Sequence, residues 1–174
     1  RMERVANAAS KTLVVDYAHT PDALSKAIRA MRKHITGRMI TVFGCGGDRD
    51  QGKRVEMGRV AGRLSDQVII TSDNPRTEDP SAIADEIKRG VIDSGIKDYV
   101  LELDRKRAIF LAVNMACAED GVLIAGKGHE THQIIGEEKR PFDDKIIAEM
   151  AASLSKSNHR PDEARAPDRS AGGR

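Results

Sequence analysis

Aromatic side chains are scarce in this chain, which has no Trp, two Tyr and three Phe, 3% of its residues. So few rings leave little surface on which nucleobases could stack. Cysteine is scarcer still, with Cys45 in a glycine-rich stretch and Cys117 in a helical pattern, and such a pair makes neither a disulfide framework nor a metal cluster. Both read as plain thiols of a reducing compartment. No run of about 18 apolar residues is present, and the first residues lack the basic-then-apolar pattern of a secretory leader. A soluble, cytoplasmic protein with no membrane partner is expected. An excess of one charge is also missing: 29 Lys and Arg face 27 Asp and Glu, a formal net charge of +2. Residues 155–174 hold five of the basic and three of the acidic groups, which leaves 24 of each sign in the body. A neutral body gives a nucleic acid no broad electrostatic footprint.

What is present is an alternation of strand and helix patterns. Lys11 to Asp16, KTLVVD, reads as a buried strand, because the β-branched pair Val14 and Val15 disfavours helix. Thr20 and Pro21 then open a helix as N-cap and first residue, with Leu24, Ala27, Ile28 and Met31 on one face and Gly37 at its end. Met39 to Phe43 is a second strand, followed by a helix from about Lys53 to Leu64, and Gln67 to Thr71 is a third. Asp79 or Pro80 starts the next helix, whose inner side is Ile83, Ile87, Val91 and Ile92. Asp98 to Leu103 is a weaker strand, Asp104 caps a helix from Arg105 to about Ala118, and Gly121 to Ala125 is a fifth strand. A short strand at Gln133 to Ile135, a turn at Gly136 and a helix from Asp144 to about Leu154 complete the pattern, with Met31, Met57, Met115 and Met150 as core filling. The alternation implies an α/β fold: a Rossmann-like, three-layer domain with a mostly parallel sheet and an antiparallel edge strand. Gln133 to Ile135, which returns after a tight turn, is expected to be that edge. One domain over residues 1–154 and a disordered polar tail over 155–174 is the expected organisation.

Four loops leave the C-terminal ends of these strands with polar, glycine- or proline-containing sequences: Asp16 to Pro21, Gly44 to Lys53, Ser72 to Arg76 and Gly126 to Glu130. Open α/β sheets bind ligands along that edge, so their convergence predicts a site there. Singly, each loop has a plainer reading. Asp16-Tyr17-Ala18-His19 fits a capping Asp and a satisfied His as well as a ligand contact. The glycines at 44, 46 and 47 let the backbone approach something closely, but the Lys-then-Ser/Thr ending of a phosphate-binding P-loop is absent. In Gly126-Lys127-Gly128-His129-Glu130, one His and one Glu are too few for a structural zinc. Asp73-Asn74-Pro75-Arg76 holds a carboxylate, an amide and a guanidinium on one proline-stiffened turn. A guanidinium so held suits a carboxylate or phosphate ligand, or an ordinary structural ion pair.

Taken together, VVDYAHTPDAL (14–24), VFGCGGDRDQGKR (42–54), TSDNPRTEDP (71–80) and AGKGHE (125–130) resemble the C-terminal domain of the Mur ligases. Within that family the pattern is most similar to members that add meso-diaminopimelate to UDP-N-acetylmuramoyl-L-alanyl-D-glutamate in peptidoglycan synthesis. The resemblance runs from Arg1 to about Leu154, and Arg1-Met2-Glu3 is similar to the end of the linker before that domain. It implies an ATP-dependent ligase using Mg2+, in which a carboxylate is activated as an acyl phosphate and attacked by the incoming amine. By resemblance, Arg49, Asp73, Asn74, Pro75 and Arg76 would hold the far carboxylate and amine of diaminopimelate. Gly126 and Glu130 would meet its amino group. Arg1 would reach the ATP phosphates, and Asp16 and His19 would lie near the ribose or adenine.

The resemblance also carries a specificity argument. Lysine lacks one carboxylate of diaminopimelate, so it would leave a buried Arg76 unpaired at about 3–5 kcal/mol, roughly a hundredfold or more. Nothing here matches the family's central-domain phosphate loop or its N-terminal UDP-binding domain. The expected partners are therefore those two domains, the UDP-MurNAc-dipeptide, ATP and diaminopimelate, and no ligase activity is expected from this chain alone. Two other readings remain: a related amide ligase of the folylpolyglutamate or cyanophycin synthetase type, and a stand-alone nucleotide- or amino-acid-binding module.

Overall fold

A computed structural model of the chain describes residues 2–5 and 11–157. Arg1 and residues 158–174, most of the expected tail, lie outside the described residues. In chain order the elements are β1 (Glu3–Arg4), β2 (Thr12–Asp16), α1 (Pro21–Arg32), β3 (Met39–Phe43), α2 (Gly52–Leu64), β4 (Gln67–Ile70) and α3 (Pro80–Asp93). They continue as β5 (Tyr99–Leu101), α4 (Arg105–Met115), β6 (Gly121–Ala125), β7 (His132–Ile135), β8 (Glu138–Pro141) and α5 (Asp144–Ser157).

Six strands form one sheet in the order β1-β2-β6-β3-β4-β5, parallel throughout except for β1. Insertion of β6 between β2 and β3 makes a topological switch point, where an open sheet parts its crossover helices and leaves a crevice. Strand residues alternate cleanly between two cores. Val14, Met39, Phe43, Val68, Ile70 and Leu123 face α1, α2 and α3. Leu13, Val15, Ile40, Val42, Ile69 and Ile124 face α4 and α5.

Helix starts follow their sequence signals. Thr20 and Asp79 cap α1 and α3, each with Pro behind it, and Asp104 caps α4. Helices α2 and α3 approach backbone to backbone, because a Cβ on Gly90 would overlap the Val55 carbonyl and one on Gly58 that of Ile87.

Several expectations are corrected. The antiparallel edge is β1, which pairs with Val14 and Val15; the segment at Gln133–Ile135 instead pairs with β8 in a separate two-stranded hairpin. A tight turn makes a strand pair with its sequence neighbour, and that neighbour is Glu138–Pro141. Helix α1 stops at Arg32, with Lys33 as C-cap, well before Gly37. Ile92 and Met150 are exposed, each lying past the edge of its helix's buried stripe. Helix α5 runs on to Ser157, beyond the last apolar residue of its pattern.

Candidate functional site

The four loops do converge. They surround a cleft of about 380 Å³ lined by His19, Arg49, Asp73, Asn74, Arg76, Gly126 and Glu130 among the expected site residues. Tyr17, Gly46, Asp50 and Lys53 line it as well. Pro75 and Asp16 do not line it: Pro75 is buried behind the turn, and Asp16 accepts the Ala18 N–H at 2.8 Å, folding its own loop. Arg1 lies outside the described residues.

The glycine-rich loop after β3 is stitched to the turn after β4. Gly47 N–H donates to the Asn74 carbonyl at 2.9 Å, and the Arg76 guanidinium donates to the Gly47 carbonyl at 2.7 Å. The Thr77 hydroxyl and N–H both donate to the Asp48 carboxylate. A Cβ on Gly47 would overlap the Pro75 carbonyl. The close approach that these glycines permit is therefore to another loop of the same protein. Arg54, wholly buried in α2, clamps the same pair of loops through the Gly46 carbonyl and Glu78.

Arg76 has φ 52, a left-handed backbone that a non-glycine residue adopts only when its surroundings hold it there. The hairpin supplies that hold: Arg76 N–H donates to the Ile134 carbonyl at 3.2 Å, and Gly136 N–H donates to the Arg76 carbonyl at 2.7 Å. Gln133 donates its amide to the Asp73 carbonyl at 2.7 Å. The half-buried guanidinium makes no ion pair among the described residues, its hydrogen bonds going to the Gly47 and Asn74 carbonyls.

Beneath the cleft lies a set of buried charges that sequence reasoning passed over. Arg105, at the start of α4, is fully buried and forms a two-point pair with Asp144 at the start of α5, at 2.8 and 2.7 Å. The same guanidinium donates to the carbonyls of Ser72 and Ala125, where the β4 and β6 loops begin. Lys127, also fully buried, reaches Asn74 Oδ1, Glu130 Oε2 and the His132 carbonyl. Nothing in the sequence marked it, since a lysine in a glycine-containing loop is exposed by default. Burial drives the Asp73 carboxyl above its ordinary range, against the pull of the Arg105 and Lys127 cations. Partial burial also pushes Glu130 up, but the Asn74 hydrogen bond and the Lys127 charge outweigh it and leave that carboxyl below its ordinary range.

Arg49, Lys53 and Arg76 thus line the same opening as the carboxyl groups of Asp50, Asp73 and Glu130. Fold and cleft define an α/β domain with a charged cleft at the C-terminal edge of its parallel sheet. Residues 1–128 match the family described as Mur ligase, glutamate ligase domain, and the chain belongs to the Mur ligases.

Among its relatives, the UDP-N-acetylmuramoyl-L-alanyl-D-glutamate–2,6-diaminopimelate ligase of Fusobacterium nucleatum is 59% identical over 137 residues, 78% of this chain and 28% of that protein. A solved structure of a ligase with the same name superposes with a TM-score of 0.83 at 42% identity, covering 92% of this chain and 32% of the other. A folylpolyglutamate synthase of Mycobacterium tuberculosis, solved with ADP and AMPPCP, reaches a TM-score of 0.53 at 19% identity over 92% of this chain and 32% of its own. That likeness is one of fold alone. The chain spans about a third of the length of the curated relatives it matches, from 28% to 34%.

Proposed function

We propose that this chain is the amino-acid-binding part of the ATP-dependent ligase that joins meso-diaminopimelate to UDP-N-acetylmuramoyl-L-alanyl-D-glutamate, a cytoplasmic step of peptidoglycan synthesis. Residues up to about Leu154 form the binding unit in this reading. The observation that carries it is the half-buried Arg76 guanidinium, held on the cleft wall with no acid paired to it among the described residues and with Glu130 lining the same opening. An amino acid with a charged pair at each end would place one carboxylate on Arg76 and Arg49 and one ammonium on Glu130. Asn74 is mostly engaged within the protein, so its part is to hold Glu130 in place more than to grip the ligand.

ATP supplies the phosphoryl group that activates the acid. The exposed Tyr17 ring, with the His19 ring edge-on at 4.6 Å and the His129 ring tilted at 6.1 Å, offers aromatic faces suited to a base and ribose. No group of three metal-ligating side chains occurs among the described residues; Mg2+ in this reading would arrive on the ATP phosphates, where it needs only one or two protein carboxylates, and no step is assigned to it. Amide formation also needs an activated acid, and the proposed acyl donor would sit on parts that the longer relatives carry outside the matched third. The 174 residues alone are expected to bind and not to ligate.

Calorimetry with meso-diaminopimelate and with lysine tests the reading. The unmodified chain should prefer diaminopimelate, and Arg76→Ala should erase that preference. Because Arg76 is half-buried, the expected discrimination is nearer tenfold than the hundredfold of a fully buried charge. Equal binding of both amino acids by the unmodified chain would refute the substrate assignment while leaving the family intact.

A further inference from the structure

We propose that Lys127 is a positioning residue that sets the orientation and charge of the acidic end of the cleft, holding Asn74 and Glu130 so that one Glu130 oxygen is presented to a ligand ammonium. The inference rests on the reading of the cleft as an amino-acid site.

The geometry is fully accounted for donor by donor. A lysine ammonium has three N–H donors. Those of Lys127 meet three acceptors: the His132 carbonyl at 2.6 Å, Asn74 Oδ1 at 3.0 Å and Glu130 Oε2 at 3.2 Å. Asn74 Oδ1 takes its second bond from the Ile134 N–H at 2.9 Å, and Asn74 Nδ2 donates to Glu130 Oε2 at 3.1 Å. With donors on both sides of its oxygen, the amide cannot turn over. Glu130 is thereby held through Oε2 alone, and Oε1 has no partner among the described residues.

Charge balance points the same way. Asp73 and Glu130 both line the cleft, and the Lys127 ammonium acts on both. That cation favours the charged form of Glu130, the form that would meet a ligand ammonium. A lysine this deeply buried is tolerated only because every proton is bonded and counter-charges are adjacent. His132, Asp73 and Arg105 also interact with Glu130 through charge.

The test uses Lys127→Met, which keeps the length and removes the charge, and Lys127→Arg, which keeps the charge. Carbon-detected NMR of the 174-residue chain follows the Glu130 carboxyl, and nitrogen-edited spectra follow the Asn74 side-chain amide. In Lys127→Met the Glu130 titration should move upward and the Asn74 amide signals should shift. Affinity for meso-diaminopimelate should fall about tenfold or more, the usual effect of losing hydrogen bonds to a charged group. Lys127→Arg should restore part of the Glu130 titration. A folded Lys127→Met with Glu130 and Asn74 unmoved overturns the proposal. Should Lys127→Met not fold, the unmodified chain decides: slowly exchanging Lys127 ammonium protons support the buried three-bond network, and fast exchange overturns it. If the NMR shifts occur but no form of the chain binds the amino acid, Lys127 keeps its positioning role and only the ligand assignment fails.

Discussion

The floor and the rim of the cleft are built on opposite principles. On the floor, Asp73, Asn74, Lys127, Arg105 and Asp144 are all buried, the Arg105 and Asp144 side chains completely. On the rim, Arg49 and Asp50 are exposed, and Lys53 is half-buried with its ammonium donating to the His19 carbonyl at 2.9 Å. A buried network has one satisfied arrangement and a large cost for any other. Exposed charges are screened and can rearrange at little cost. The floor therefore fixes geometry in advance, whereas the rim places charges in solvent where they can rearrange.

Breaking the floor from below should have the largest effect. Asp144→Ala strands a fully buried guanidinium, and unfolding in urea should show a loss of about 3–5 kcal/mol. The β4 and β6 loop starts, which Arg105 also holds, should lose hydrogen-exchange protection. A loss no larger than a surface pair's would mean that floor and rim are alike.

A rim change should separate affinity from stability. Arg49→Ala is expected to leave the urea midpoint within about 0.5 kcal/mol, since exposed substitutions seldom do more. It should weaken meso-diaminopimelate binding by roughly tenfold at low salt, and the deficit should shrink as salt rises. An affinity loss unchanged by salt would place Arg49 with the floor.

The smallest expected effect lies at the boundary between them. Glu130 has its folded carboxyl held below its ordinary value of 4.5. Its charged form therefore contributes stability that is present above pH 4.5 and is lost as the pH falls through the lower folded value. Glu130→Gln should flatten the stability profile below pH 4.5 and change little at neutral pH, as read from urea midpoints across the acid range. Asp73 has the opposite sign, because its raised carboxyl favours the protein at low pH and loses that contribution as the pH rises through the folded value.

The elements that the sequence made legible are those whose signals are local. Capping residues and apolar periodicity marked α1, α3 and α4, and β-branched runs marked the parallel strands, because these depend on neighbours within a few residues. The position of the cleft was legible for a related reason: loops at the C-terminal ends of parallel strands must share an edge. The hairpin was misplaced, since strand periodicity says nothing about which strand will be the partner. Its role as a brace for Arg76 rests on contacts from Ile134 and Gly136, about sixty residues further along the chain. Arg105, Arg54 and Lys127 carried no mark of burial, and a charged residue at a helix start or in a loop is exposed by default.

By itself, the sequence determined the alternation of strands and helices, the crowding of polar loops at one edge, and the chemical types available there. The tertiary structure decided which charges went inside and which stayed in water. Arg105 meets Asp144 across 39 residues and Lys127 meets Asn74 across 53. Whether a charge can be buried depends on a partner that only the folded chain brings within hydrogen-bonding distance.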